Sequence, residues 1–161
     1  MNIFYLDHNP VLAAQYHCDK HVVKMILESA QLLCTAINVQ AGEQITPYKS
    51  THVTHPCTIW AGASIENWLW LSDLAYNLES EWRYRWQHDK YHQSISVIDK
   101  ITFKLAESLL PAGPMTEPPK CMPSLYHIAN DTVSSYRYYY KVSKHNLLHY
   151  TRRLPPNWLT E

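Results

Sequence analysis

Glycine is nearly missing from this chain. Only Gly42, Gly62 and Gly113 occur in 161 residues, and three isolated glycines cannot write a P-loop or a Rossmann GxGxxG. That argues against nucleotide binding through a glycine-rich phosphate cradle. Net charge is missing too: fourteen Lys and Arg balance fourteen Asp and Glu. No global basic field draws the chain to nucleic acid, so such a partner would have to be held by a local patch. The four cysteines, Cys18, Cys34, Cys57 and Cys121, form no CxxC pair, which points to reduced thiols rather than a disulfide framework or a zinc ribbon. No apolar run approaches the roughly 20 residues of a membrane span. The opening "MNIFYLDHNP" has neither the basic start nor the long apolar stretch of a signal peptide. The expectation is a cytoplasmic protein without a membrane partner. Rings are plentiful instead: twelve tyrosines, six tryptophans and ten histidines suit both a core and base stacking.

The length is that of one domain, residues 1–161, large enough to bury a core without staples. "NIFYL" (2–6) reads as a short apolar lead-in, strand-like or irregular. Asn9-Pro10 reads as an N-cap followed by proline at the first helical position. From Pro10 to about Val39, Val22, Ile26, Ala30, Leu33 and Ile37 repeat at helical spacing, reinforced by Val23 and Leu27. A break is expected near Cys18-Asp19, with Asp19 capping a second helix. Residues 41–55 read as a loop, and His55-Pro56 opens a helix running to roughly Trp86 through Ile59, Ala63, Trp68, Leu71, Leu74 and Leu78. A third segment spans Tyr91 to Leu110, "PAGPMTEPPKCMP" (111–123) is a proline-rich loop, and a last helix is expected over Asp131 to Tyr150. The predicted fold class is all-α, a compact single-domain bundle of four or five helices.

Chemistry concentrates in "HCDKHVVKMILE" (17–28). On a helix His21, Lys24 and Glu28 share one stripe, with His17 four residues before His21. Two chemistries fit. A metal could take His17 and His21 as an i, i+4 pair with Asp7, His8 or Asp19, although the stretch lacks the glutamate of HExxH. Acid–base work could instead use His21, Asp19, Lys24 and Glu28 over a cleft, with His17 and Lys20 beside them. The bland alternative is a solvated Lys24–Glu28 pair worth a few tenths of a kcal/mol. "THPCTIW" places His55 at a helix N-terminus, where N–H groups favour anions, with Trp60 about one turn on. "EWRYRW" (81–86) reads as an ordinary half-buried helix end rather than a phosphate grip. Arg137, Lys141 and Lys144, at offsets of four and three, align on one face with Tyr138 beside them. Phosphate contacts need such donors rather than a special fold, so a nucleic acid, DNA above all, or a nucleotide is the expected partner. No cofactor is expected.

"LAAQYHCDKHVVK" (12–24) resembles the corresponding stretch of the phage-type pyrimidine-dimer DNA glycosylases of the endonuclease V family, and of their small bacterial and phage relatives. "HPCTIW" is similar to the His-Pro-x-x-x-Trp helix start of those relatives, and "YRYYYK" resembles the family's aromatic, basic C-terminal segment. The overlap covers roughly a third of the chain. The resemblance implies an all-helical fold and a DNA glycosylase-like hydrolase or lyase that bends its substrate and flips out a base. In the family an α-amino group attacks the sugar C1′ to form a Schiff base, assisted by a glutamate early in the first long helix. This sequence departs from that pattern twice. Asn2 follows Met1, so the amine implied is that of Met1 rather than of a small second residue. Val22 or Val23 stands where the glutamate is expected, with Glu28 one to two turns later. A non-enzymatic nucleic-acid binder and a metal-dependent enzyme on a small substrate remain the rival readings.

Overall fold

Proline and capping residues divide the chain into more helices than hydrophobic spacing alone implies. The computed structural model describes residues 1–161 and contains seven α-helices and no strands: α1 Pro10–Tyr16, α2 Asp19–Ala41, α3 Pro56–Ala63, α4 Ile65–Trp86, α5 Gln93–Ile98, α6 Phe103–Leu109 and α7 Thr132–Ser143. The fold class is the all-α one expected, but seven helices replace four or five because Ser64 and Thr102 split two of the expected elements.

Each break has a local cause. The expected break near Cys18-Asp19 falls at His17 and Cys18, both extended. There the Cys18 N–H donates to the Tyr140 hydroxyl and the Asp19 N–H to the His149 carbonyl. Asp19 is therefore the first helical residue of α2 and not its cap. Ser64 is extended (φ −155°, ψ 156°) and its Oγ accepts the Asn67 N–H, starting α4 afresh after α3. Thr102 likewise caps α6 through the Leu105 N–H, separating it from α5. The last helix ends at Ser143, short of Tyr150, because a 3₁₀ turn over His145–Leu147 redirects the chain toward the start of α2. Gly42 closes α2 at φ 73°, the left-handed geometry that glycine adopts without strain.

The amphipathic stripe of α2 faces inward as spaced, with Val22, Ile26, Ala30, Leu33 and Ile37 fully buried in the core that α2 shares with Leu71, Leu74 and Leu78 of α4. Val23 and Leu27 are exposed, as is Ile59, because one buried stripe covers only part of a helix circumference. Trp68 is buried and ties the two long helices by donating its Nε1–H to the Leu33 carbonyl at 3.2 Å. By length and mean hydropathy α2 would also pass for a membrane span, yet 67% of its most apolar window is buried inside the bundle. It is the core helix.

The lead-in is irregular rather than a strand, and Ile3 to Leu6 are buried, Phe4 against His21 of α2 and Tyr140 of α7 and Tyr5 against Trp70 of α4. Asn2 shapes it: its Oδ1 accepts the N–H groups of Ile3 and Phe4, and its Nδ2 donates to the Cys121 carbonyl at 2.8 Å. Phe4 is thereby held at φ 46°, uncommon for a side chain of its size. These bonds bring the chain start, the proline-rich loop and the face of α2 together.

Candidate active-site cleft

Hydrogen-bond bookkeeping around His21 defines the site. The Cys18 N–H donates to the Tyr140 oxygen at 2.9 Å, so the Tyr140 hydroxyl proton is free to go to His21 Nδ1 at 2.7 Å. With the hydroxyl as donor to Nδ1, the imidazole proton sits on Nε2. Phe4 stacks on the ring at 4.2 Å between centroids. Burial, followed by His17, Lys144, Lys24 and Lys20, lowers the His21 pKa to about 3. The ring is neutral near pH 7 and offers a fixed N–H donor rather than a mobile proton.

His21 lines a cleft of about 260 Å³ with Met1, Lys24, Glu28, Tyr139 and Lys144. Its volume lies just under the roughly 300–1,000 Å³ of small-ligand pockets. Lys24 and Glu28 pair at 3.4 Å, with the lysine largely exposed and only 13% of the Glu28 side chain accessible. The Lys144 ammonium sits over the Tyr139 ring at 4.9 Å. A carboxylate among amines beside a neutral imidazole can accept a proton from a nucleophile and hold an anionic guest.

A second opening, of about 440 Å³, adjoins the cleft and shares Met1 and Cys121 with it. His55 borders this opening. As N-cap of α3 its Nδ1 accepts the Cys57 N–H at 3.1 Å, and burial, then the terminal ammonium and His52, lowers its pKa. Cys57 and Cys121 meet with their sulfurs 3.5 Å apart. The hydrogen shared between the sulfurs splits the pair, lowering the Cys121 thiol and, with burial, raising that of Cys57.

No family profile, curated protein or solved structure matches this chain.

Of the residues singled out from sequence, His21, Lys24, Glu28 and Lys144 therefore share one cleft and His55 the next. The others do not join them. His17 is fully buried, its Nδ1–H donating to the Ala13 carbonyl at 2.7 Å, with burial lowering its pKa to about 4. A substrate cannot reach it. Asp19 is committed to Arg85, His149 and Thr151. Burial pushes its carboxyl up, but the Thr151 N–H and hydroxyl, His149 and Arg85 outweigh that and hold it low. Trp60 is a core residue packed edge-on to Trp70, its Nε1–H on the Thr116 carbonyl. Lys20 is exposed at the start of α2, outside the cleft lining.

On α7 the expected basic face divides. Arg137 turns inward, donating to the Leu6 carbonyl and the Asp7 carboxylate at 2.8 Å each, with its guanidinium over Tyr16 and Trp158. Tyr138 and Lys141 stay exposed, and Tyr138 meets Tyr126 edge-on. The metal set drawn from His17, His21, Asp7, His8 and Asp19 does not assemble, since no three of these residues bring ligand atoms together and the two carboxylates serve arginines. Arg83 and Arg85 are structural, the first paired with Glu79 and the second buried between Glu81 and Asp19.

Sequence reasoning missed Phe4, Tyr139, Tyr140 and the Cys57–Cys121 pair. For the cysteines a signal was present: His55-x-Cys57 at a helix start, and a lone cysteine set between prolines at 119 and 123.

Proposed function

We propose that the protein acts on nucleic acid as a DNA glycosylase-like enzyme, taking one unpaired or extruded nucleotide into the cleft of His21 and Glu28. The reading is carried by one observation: His21, Lys24 and Glu28 of α2 line the same small cleft as Met1 and Lys144, from opposite ends of the chain. In this scheme Glu28 takes the proton of the attacking water or amine while the C1′–N bond breaks and the base leaves with the bonding pair. His21 Nε2–H orients the sugar or base, and Lys24 and Lys144 hold flanking phosphates, with Tyr138 and Lys141 extending the contact along the strand. The resemblance of the α2 start, of "HPCTIW" and of "YRYYYK" to the endonuclease V family supports the same reading.

The test is base release from oligonucleotides carrying pyrimidine dimers, abasic sites or modified pyrimidines, with borohydride added to trap any amine adduct. General acid–base groups contribute roughly 10²–10⁴-fold, so Glu28→Gln should lower turnover by that order at unchanged helicity, and His21→Ala should weaken it. Salt-dependent affinity without product from any substrate would identify a binder and reject the enzyme. Absence of affinity at low salt would reject both.

A further inference from the structure

The geometry points to a thiophilic divalent cation site, zinc by its donor set, formed by His55, Cys57 and Cys121 at the opening beside the cleft. This goes beyond the proposed nucleic-acid chemistry and does not depend on it. One ligand atom from each of the three residues lies within 4.8 Å of the other two, although Cys121 is 64 residues from Cys57. With Zn–S bonds of about 2.3 Å, two sulfurs on a tetrahedral ion stand about 3.7 Å apart. The observed separation is 3.5 Å, so a cation between them needs only a small outward movement.

The surroundings hold the donors as metal sites do. The Cys121 backbone is fixed from two sides, its N–H on the Tyr136 hydroxyl and its carbonyl on the Asn2 amide. The Tyr136 hydroxyl in turn donates to the Pro119 carbonyl at 2.8 Å. His55 Nδ1 accepts the Cys57 N–H at 3.1 Å, which keeps the imidazole beside the two sulfurs.

Loading replaces the thiol protons, which go to solvent, and places two thiolates and one neutral imidazole on the ion. Three protein donors leave a fourth position. Met1, His55, Pro56, Cys121 and Met122 border the opening, so that position faces solvent and takes an exchangeable oxygen donor, water or a phosphate oxygen. Such a three-ligand arrangement is that of open zinc sites rather than closed structural ones.

Cobalt(II) titration of the reduced full chain tests this directly. One equivalent should bind with a thiolate-to-cobalt charge-transfer band and tetrahedral visible bands, and zinc should displace it. Cys57→Ser and Cys121→Ser should each abolish the charge-transfer band or cut its affinity by at least tenfold, and His55→Ala should weaken binding. Cys34→Ser, a buried thiol outside the cluster, should leave the titration unchanged. Circular dichroism checks the fold of each variant, and the wild-type spectrum stands independently of them. Sub-stoichiometric uptake, a spectrum without thiolate character, or equal binding by folded Cys57→Ser and Cys121→Ser proteins would overturn the assignment. So would a Cys57–Cys121 disulfide as the sole state in which the pair changes.

Discussion

His21 and Asp19 stand two positions apart on α2, yet they answer to different parts of the molecule. His21 looks into the cleft, whereas the Asp19 carboxylate accepts from Arg85 at 3.0 Å and from the Thr151 N–H and hydroxyl. Asp19→Asn should accordingly destabilise the protein by about 2–3 kcal/mol through the weakened Arg85 pair, while any remaining activity keeps its wild-type pH profile. Chemical denaturation and a pH–rate profile check this; a shifted profile at unchanged stability would return Asp19 to the chemistry. The two buried histidines make a second residue-scale prediction. Burial, first among its causes in each ring, lowers His17 to about 4 and His21 to about 3. Around His21 the charges of His17, Lys144, Lys24 and Lys20 add to the effect of burial. The unfolded chain binds protons at these histidines near pH 6.5 while the folded one does not. Their contribution is therefore complete above about pH 6.5 and is lost as pH falls toward the folded values. Stability should drop by a few kcal/mol, as an order of magnitude, between pH 7 and 4.5. Urea melts at several pH values that superimpose across this window would refute it.

At the scale of elements, the proline-rich loop is shaped by a side chain of a helix. Asn67, fully buried in α4, donates to the Trp60 carbonyl and the Thr116 hydroxyl and accepts the Thr116 N–H at 2.8 Å. Ser64 adds a bond to the Pro114 carbonyl. This clamp carries the loop toward Pro119 and Cys121, where Asn2 and Tyr136 take over. Asn67→Ala should cost about 2–4 kcal/mol, since it strands buried partners as well as removing bonds. Limited proteolysis should then cut within residues 111–123 at lower protease concentrations. The helix ends themselves follow local rules visible in the sequence: Asn9-Pro10, His55-Pro56 and Asp131 start helices as capping chemistry requires. Ser64 and Thr102 obey the same rules, but they sit inside runs whose hydrophobic spacing continues across them. Periodicity alone therefore joined α3 to α4 and α5 to α6.

On the scale of the whole molecule, zero net charge coexists with an uneven distribution. Arg85 and Arg153 both pair with Glu81, and Arg137 with Asp7, so much of the arginine charge is spent inside the structure. Lys24 and Lys144 are left in the wall of the cleft, and Lys141 is left exposed on α7. If these three meet phosphates of a single strand, the logarithm of affinity should fall against the logarithm of salt with a slope of about −2. Lys144→Ala should make the slope shallower by roughly 0.7. Binding isotherms at several salt concentrations measure both, and an unchanged slope in Lys144→Ala would remove that residue from the contact.

Local chemistry in the chain determined the all-α class, the helix starts at proline and capping residues, the buried stripe of α2, and the crowding of His21, Lys24 and Glu28 on one stretch. These depend on neighbours three or four positions away, which a linear reading sees. Tertiary structure alone decided which charged groups are free. Arg137 and Asp19 look like their exposed neighbours in sequence, but Asp7 and Arg85, 130 and 66 positions distant, claim them. It also decided that Met1 and Lys144 border one cleft and that Cys57 meets Cys121. Long-range packing sets such meetings, and no spacing rule along the chain encodes them.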